Sequence, residues 1–133
     1  MPTFFTIVIV VIILHIVKSM FSWEGEAMNV QQLRDAWANP ATRQADARLI
    51  DVREPGEFSG GHVPGAINIP LASIGNRATE LASASTLYVI CHSGARSAAA
   101  CGTLQKQLPA TVKIINISGG TAAWQAAGFP VEK

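Results

Sequence analysis

The sequence predicts an α/β fold in which helices cover both faces of a parallel sheet. Short apolar runs alternate along the chain with segments of helical spacing, and turn residues separate the two kinds of segment. The runs are apolar at successive positions, which is typical of strands that are buried on both faces. At 133 residues, with 49% hydrophobic residues, the chain is sized for one domain core.

The individual elements follow from length and spacing. Apolar runs that are too short for helices predict strands at residues 48–52, 66–69, 86–91 and 112–117. Helical spacing predicts helices at residues 28–38, 71–81, 95–108 and 121–127. Asn29 is the predicted N-cap of the first of these helices, and Asn39-Pro40 ends it. Because the carboxyl ends of parallel strands meet at one edge, Asp51, Cys91 and Gly119 are expected to lie near each other.

The N-terminus is predicted to anchor the chain in a membrane. Residues 4–17 are apolar except for Thr6 and His15, and a helix over residues 2–23 would be long enough to cross a bilayer. Lys18 follows the apolar run, so the positive-inside rule predicts a single-pass cell-membrane protein with its domain in the cytoplasm. Two alternatives stay open: a cleaved secretory signal, which would leave the domain in the periplasm, and a helix that is buried or binds a partner.

The predicted organisation is an anchor at residues 1–23, a linker at 24–28 and one α/β domain at 29–133. Ten Lys and Arg against nine Asp and Glu give a net charge of +1, so the chain lacks the basic excess that nucleic-acid binding requires. Cys91 and Cys101 are the only cysteines, too few for a disulfide-stabilised scaffold. Cys101 shares an apolar stripe with Leu104 and Leu108, which predicts that it packs in the core.

The segment from Cys91 to Ser97 is the candidate for chemistry, because it joins a predicted strand to a predicted helix. The first backbone N–H groups of a helix have no partner within it, and the helix dipole favours an anion there. Gly94 permits a tight turn, and Arg96 adds a permanent positive charge. These features predict a Cys91 thiolate with a lowered pKa.

The residues that follow Cys91 are predicted to bind an anion. Arg96 would attract an anionic donor, while the hydroxyls of Ser93 and Ser97 would add hydrogen bonds to those of the main chain. Ser93 could instead cap the helix, and a proton-transfer role for His92 stays open. The predicted anion-binding residues are His92, Ser93, Gly94, Ala95, Arg96 and Ser97.

Three further polar residues have predicted roles. Asp51 and Arg53 close the neighbouring strand and are expected to form an ion pair that helps to fix the Cys91 loop. His62 lies in a Gly-His-Val-Pro-Gly turn, where a hydrogen-bonded structural role is expected. No metal ligand set is predicted.

The Cys91 loop is one of several motif segments, and the others are Asp51-Val52-Arg53-Glu54, Glu57-Phe58, residues 61–70, Gly119-Gly120, Trp124 and Gly128-Phe129-Pro130. Together these segments resemble the single-domain rhodaneses, and the resemblance covers residues 29–131. It implies a rhodanese-like three-layer fold with a five-stranded parallel sheet flanked by helices. It also implies a cysteine that alternates between thiolate and persulfide.

The resemblance implies an enzyme of the thiosulfate sulfurtransferase type that needs no metal or organic cofactor. Cys91 would take a sulfane sulfur from a donor such as thiosulfate or a persulfide and pass it to cyanide, a thiol or a partner protein. The related cell-cycle phosphatases have one more residue between cysteine and arginine, whereas the spacing from Cys91 to Arg96 resembles the sulfur-handling branch. The alternatives are a persulfide relay or interaction module without turnover and, less favoured, a phosphatase-like enzyme.

Overall fold

The apolar runs assemble into a parallel sheet. A computed structural model describes residues 3–21 and 23–133, with only the backbone described for residues 17–21. The described residues form a five-stranded sheet with the order β1-β5-β4-β2-β3. The strands are β1 (Glu26–Met28), β2 (Ala47–Asp51), β3 (Ile67–Asn68), β4 (Thr86–Ile90) and β5 (Lys113–Ile117).

The central position of β4 decides where the site lies. β4 pairs with β2 on one side and with β5 on the other, so that Asp51 lies opposite Ile90 and Asn116 lies opposite Val89. All pairings between the strands are parallel, so the carboxyl ends of β2, β4 and β5 share one edge. Cys91 directly follows β4 at this edge.

Helices flank the sheet, and the predicted α/β fold with a five-stranded parallel sheet is confirmed. The chain passes between strands through helices, as parallel pairing requires. Following the N-terminal helix α1 (Phe4–Phe21), the helices are α2 (Val30–Ala38), α3 (Pro40–Gln44), α4 (Pro55–Ser59), α5 (Leu71–Arg77), α6 (Ala95–Gln107) and α7 (Gly120–Ala126), with a 3₁₀ turn at Ala78–Leu81.

Two apolar cores lie on opposite faces of the sheet because successive strand residues point in opposite directions. Leu87, Val89 and Cys91 belong to the core that packs under α5 and α6. Tyr88 and Ile90 belong to the other core, which packs under α2 and α7. Cys91 therefore faces the helix that follows it.

The predicted membrane anchor is not supported. Within residues 3–21 and 23–133, no helix combines the length and apolar character needed to cross a bilayer. The prediction of a single-pass cell-membrane protein, with a membrane partner at residues 2–23, is therefore wrong. The prediction took residues 2–23 as one helix, whereas α1 is described over the 18 residues Phe4–Phe21. Met1, Pro2 and Ser22, which belonged to that prediction, lie outside the described residues.

The predicted linker at residues 24–28 differs from the structure, because Glu26–Met28 form β1 at the edge of the sheet. Ala27 pairs with Asn116 of β5, and Lys113 lies 3.4 Å from the Glu26 carboxylate. The Trp23 side chain donates a hydrogen bond to the Glu26 carbonyl at 2.7 Å. A strand of three residues with two exposed positions has no apolar pattern by which the sequence could reveal it.

Candidate active site

The Cys91 sulfur lies beneath a loop that curls back over it. The residue is 1% exposed. Its Sγ accepts a hydrogen bond from the Gly94 N–H at 3.1 Å and lies 3.3 Å from the Ser97 Oγ. Gly94 is the N-cap of α6 with a φ of 110°, a conformation that residues with a Cβ rarely adopt. Glycine is therefore the residue that lets the loop bring its N–H to the sulfur.

The surroundings of Cys91 favour a negative charge on its sulfur. Burial raises the pKa of the thiol, but hydrogen bonds from the Ser97 hydroxyl and from the main-chain N–H groups of Ser97, Gly94 and Ser93 outweigh burial. The pKa of Cys91 therefore lies below its ordinary value. Since the thiolate is the nucleophilic form of cysteine, this geometry suits attack on an electrophilic sulfur.

The Arg96 side chain points towards α4, where it forms a bidentate ion pair with Glu57. The Nη1 and Nη2 atoms of Arg96 lie 2.6 and 2.9 Å from the two carboxylate oxygens of Glu57. The hydrogen bonds from Arg96 hold the pKa of Glu57 at about 2, despite an opposing effect of burial. Glu57 belongs to one of the motif segments, but its partner could not be predicted from the sequence, because 39 residues separate it from Arg96.

Asp51 and Arg53 form a buried ion pair, with 2.8 Å between the Arg53 Nη2 and the Asp51 Oδ2. The Arg53 guanidinium also donates to the carbonyl oxygens of Gly61 and Glu57, at 2.9 and 3.3 Å. Through Arg53, the pair therefore contacts α4 and the turn that follows α4. The pair reaches the Cys91 loop through α4, which presents Glu57 to Arg96.

Residues of β5 and α7 support the loop from the other side. The Asn116 side chain donates to the Gly94 carbonyl at 3.3 Å. The Thr121 N–H donates to the Cys91 carbonyl at 2.8 Å, and the Ala122 N–H donates to the His92 carbonyl at 3.0 Å. None of these contacts was predicted from the sequence. The polar Asn116 among the buried isoleucines of β5 was the signal available for one of them.

The remaining predicted residues lie at the rim or away from the sulfur. The side chains of His92, Ser93 and Ala95 are exposed. Gly94 is the N-cap of α6, so Ser93 does not cap that helix. The His62 ring stacks on Phe58 at 3.6 Å, and its Nδ1 lies 2.8 Å from the Phe58 carbonyl oxygen, as expected for a structural residue.

The second cysteine occupies the core. Cys101 is fully buried in the same apolar cluster as Cys91. Burial, and to a smaller extent the charge of Cys91, raises the pKa of Cys101 to about 12. Both cysteines are free thiols. Two thiols in one cluster therefore have opposite tendencies to ionise, and Cys91 is the one suited to nucleophilic chemistry.

Comparison with known proteins identifies relatives over most of the chain. Protein YqhL of Bacillus subtilis, which is uncharacterized, is 44% identical over 78 residues, 59% of this chain and 60% of that protein. The putative sulfur carrier protein YrkF of the same organism is 37% identical over 90 residues, 68% of this chain. The chain spans only 48% of that relative's length. A sulfurtransferase of Allochromatium vinosum is 35% identical over 86 residues, 65% of this chain and 78% of the relative.

Solved structures and a family model agree with these relatives. A rhodanese-related protein from Thermoplasma volcanium superposes with a TM-score of 0.67 at 30% identity, covering 80% of this chain and 97% of that structure. The model of the rhodanese-like domain matches residues 30–127, which include both sides of the candidate site. The chain therefore belongs to the family of rhodanese-like domains.

Proposed function

We propose that this chain is a sulfurtransferase in which Cys91 carries the transferred sulfur as a persulfide. One observation carries the proposal: the Cys91 Sγ, with a lowered pKa, lies 3.1 Å from the Gly94 N–H and 3.3 Å from the Ser97 Oγ. Relatives named as a sulfurtransferase and as a putative sulfur carrier support sulfur chemistry in this family.

In the first step, the Cys91 thiolate attacks the outer sulfur of a donor such as thiosulfate. A sulfur–sulfur bond forms to Cys91, the sulfur–sulfur bond of the donor breaks, and its electron pair leaves with sulfite. The product is a persulfide anion whose outer sulfur carries the negative charge. Main-chain N–H groups of residues 92–97 and the Ser97 hydroxyl are the groups proposed to stabilise that charge.

In the second step, an acceptor thiolate or cyanide attacks the outer sulfur of the persulfide. The bond to Cys91 breaks, its electron pair returns to Cys91 as the thiolate, and cyanide would leave as thiocyanate. Neither step transfers a proton when donor and acceptor react as anions. The exposed His92 side chain is therefore not needed as a general base.

Loading of the protein with sulfur tests the proposal. After incubation with thiosulfate and removal of excess reagent, intact-mass spectrometry should show the gain of one sulfur atom, and added cyanide should remove it. Cys91→Ser should gain none, whereas the matched Cys101→Ser variant should load like the wild type. A wild-type chain that keeps its original mass, or a Cys91→Ser variant that still gains sulfur, contradicts the proposal.

A persulfide relay that serves one partner protein is the second candidate. The relative named as a putative sulfur carrier favours it. Steady-state conversion of thiosulfate and cyanide to thiocyanate separates the two candidates. Repeated turnover supports the enzyme, whereas loading without turnover supports the relay.

A further inference from the structure

The sulfur site has two arginines at its edge of the sheet, and both are already paired with carboxylates. Arg53 is bound by Asp51 at 2.8 Å. Arg96 is bound by both oxygens of Glu57, at 2.6 and 2.9 Å. Lys106 lies in the last turn of α6, and Lys113 lies at the start of β5. Both positions are at the opposite edge of the sheet. The groups that favour an anion at Cys91 are therefore mainly peptide and hydroxyl dipoles.

Arg96 is nevertheless within electrostatic reach of the sulfur. Its pKa is raised first by the hydrogen bond to Glu57 and then, more weakly, by the charges of Glu57, Cys91 and Asp51. It lies in the first turn of α6, the helix whose N-cap donates to the Cys91 Sγ. A change in the net charge of the pair between Arg96 and Glu57 would therefore change the potential that an incoming donor meets.

We propose that Glu57 determines donor choice: by cancelling the charge of Arg96, it disfavours the thiosulfate dianion and favours sulfane donors of lower charge, such as organic persulfides and thiosulfonates. This inference rests on the proposed sulfurtransferase function and narrows its substrate class. Glu57 stays ionised at neutral pH because its pKa is about 2, so the cancellation persists under ordinary conditions. Glu57 acts through Arg96 and is a specificity residue without a bond to the reacting sulfur.

Thiosulfate and methanethiosulfonate form a matched pair of donors for testing the effect of donor charge. Each presents an outer sulfur to Cys91, but thiosulfate carries two negative charges and methanethiosulfonate carries one. With methanethiosulfonate the Cys91 thiolate forms the new sulfur–sulfur bond, the donor's own sulfur–sulfur bond breaks, and methanesulfinate leaves with the electron pair. The persulfide product is the same, so the ratio of loading rates reports the effect of donor charge.

The experiment measures loading rates of the full chain by quenched intact-mass spectrometry at low ionic strength. Glu57→Gln keeps the shape of the side chain and leaves Arg96 with an uncompensated charge. We expect its rate ratio, thiosulfate over methanethiosulfonate, to rise about five- to tenfold over wild type, as one partly solvated neighbouring charge would produce. The rise should largely disappear at ~0.5 M salt, because screening removes the attraction of the dianion.

Glu80→Gln is the matched control, since Glu80 forms a similar exposed pair with Arg77. The Glu80 carbonyl accepts from Arg48 of β2, which places it towards the opposite edge of the sheet. Its rate ratio should stay at the wild-type value. A Glu57→Gln ratio equal to the wild-type ratio overturns the proposal, and so does a rise that persists at high salt.

The wild-type chain provides a second measurement that does not depend on the folding of a variant. Because Glu57 neutralises Arg96 in the wild type, thiosulfate loading should not fall by more than about twofold as salt is raised, whereas a steep fall with salt would overturn the role of Glu57. The failure of the underlying function looks different. A chain that gains sulfur from neither donor refutes sulfur transfer itself, independently of any rate ratio.

Discussion

The Ser97 hydroxyl oxygen lies 3.3 Å from the Cys91 Sγ and 3.1 Å from the Gly94 carbonyl oxygen. A hydroxyl has one hydrogen, so it can donate to only one of these acceptors at a time. When Cys91 is a thiol, its S–H can donate to Ser97 while Ser97 donates to Gly94. When Cys91 is a thiolate, the Ser97 hydrogen can turn to the sulfur. The Gly94 carbonyl then keeps the Ala98 N–H and the Asn116 side chain as donors.

Ser97→Ala should make the Cys91 thiol harder to ionise. Removal of the hydroxyl takes away a hydrogen bond that lowers the pKa of Cys91. A lowered pKa keeps the thiolate populated down to lower pH, so the variant should lose reactivity at a higher pH than wild type. At neutral pH, its alkylation rate by iodoacetamide should fall roughly tenfold or more, because one hydrogen bond to a charged group typically contributes about 1.5–3 kcal/mol.

The control for this prediction is Thr103→Ala, which deletes another hydroxyl from α6. Thr103 donates to the Ala99 carbonyl at 3.3 Å and lies outside the sulfur site. Its profile of alkylation rate against pH should superimpose on that of wild type. A Ser97→Ala profile that also superimposes would remove Ser97 from the stabilisation of the thiolate.

Gly120→Ala should abolish sulfur loading through a steric effect on the loop. A Cβ at this position would lie 2.3 Å from the Cys91 carbonyl oxygen and 2.5 Å from that of His92, and the φ of 58° adds strain. The contacts of Thr121 and Ala122 with the loop should then be lost. Loading is measured by intact mass on variant protein whose circular dichroism spectrum confirms folding.

Gly102→Ala is the comparison, because a Cβ there meets no atom within 4 Å. Gly102 lies inside α6, where alanine is favoured over glycine by about 0.5–1 kcal/mol. This variant should load normally and be slightly more stable to urea. Normal loading by Gly120→Ala would show that α7 does not determine the shape of the loop.

Asp51→Asn should destabilise the whole domain. It leaves the Arg53 charge without its partner at a position where the two side chains are 0% and 6% exposed. Loss of one member of a buried ion pair typically costs about 3–5 kcal/mol. Urea unfolding followed by tryptophan fluorescence would measure the free energy of unfolding. Asp35→Asn, in a pair that is 48% and 72% exposed, should cost less than about 1 kcal/mol.

Cys101→Ala should keep the sulfur chemistry. Cys101 is fully buried, and its pKa of about 12 leaves it protonated at neutral pH. Treatment of the folded wild type with limiting iodoacetamide should therefore modify Cys91 alone, and the variant should accept one sulfur from thiosulfate at the wild-type rate. Peptide mapping would locate the modification. Loss of loading in a folded Cys101→Ala protein would assign Cys101 a resolving role.

The sequence alone predicted the parallel sheet, the position of the Cys91 loop and the family resemblance. Apolar runs predicted the strands that became β2, β4 and β5, because a strand buried on both faces needs apolar side chains at successive positions. The lowered pKa of Cys91 was also predictable, since the loop from Cys91 to Ser97 lies between a strand and the helix it opens. These are local properties, determined by residues close together along the chain.

The tertiary structure decided everything that depends on partners distant in sequence. It bound Arg96 to Glu57 across 39 residues, placed Asn116 under Gly94 across 22 residues, and made an edge strand of Glu26–Met28. Strand order selects which side chains meet, and that order follows from the packing of the whole domain. Local periodicity therefore indicated where the sulfur would lie, but not which charges would surround it.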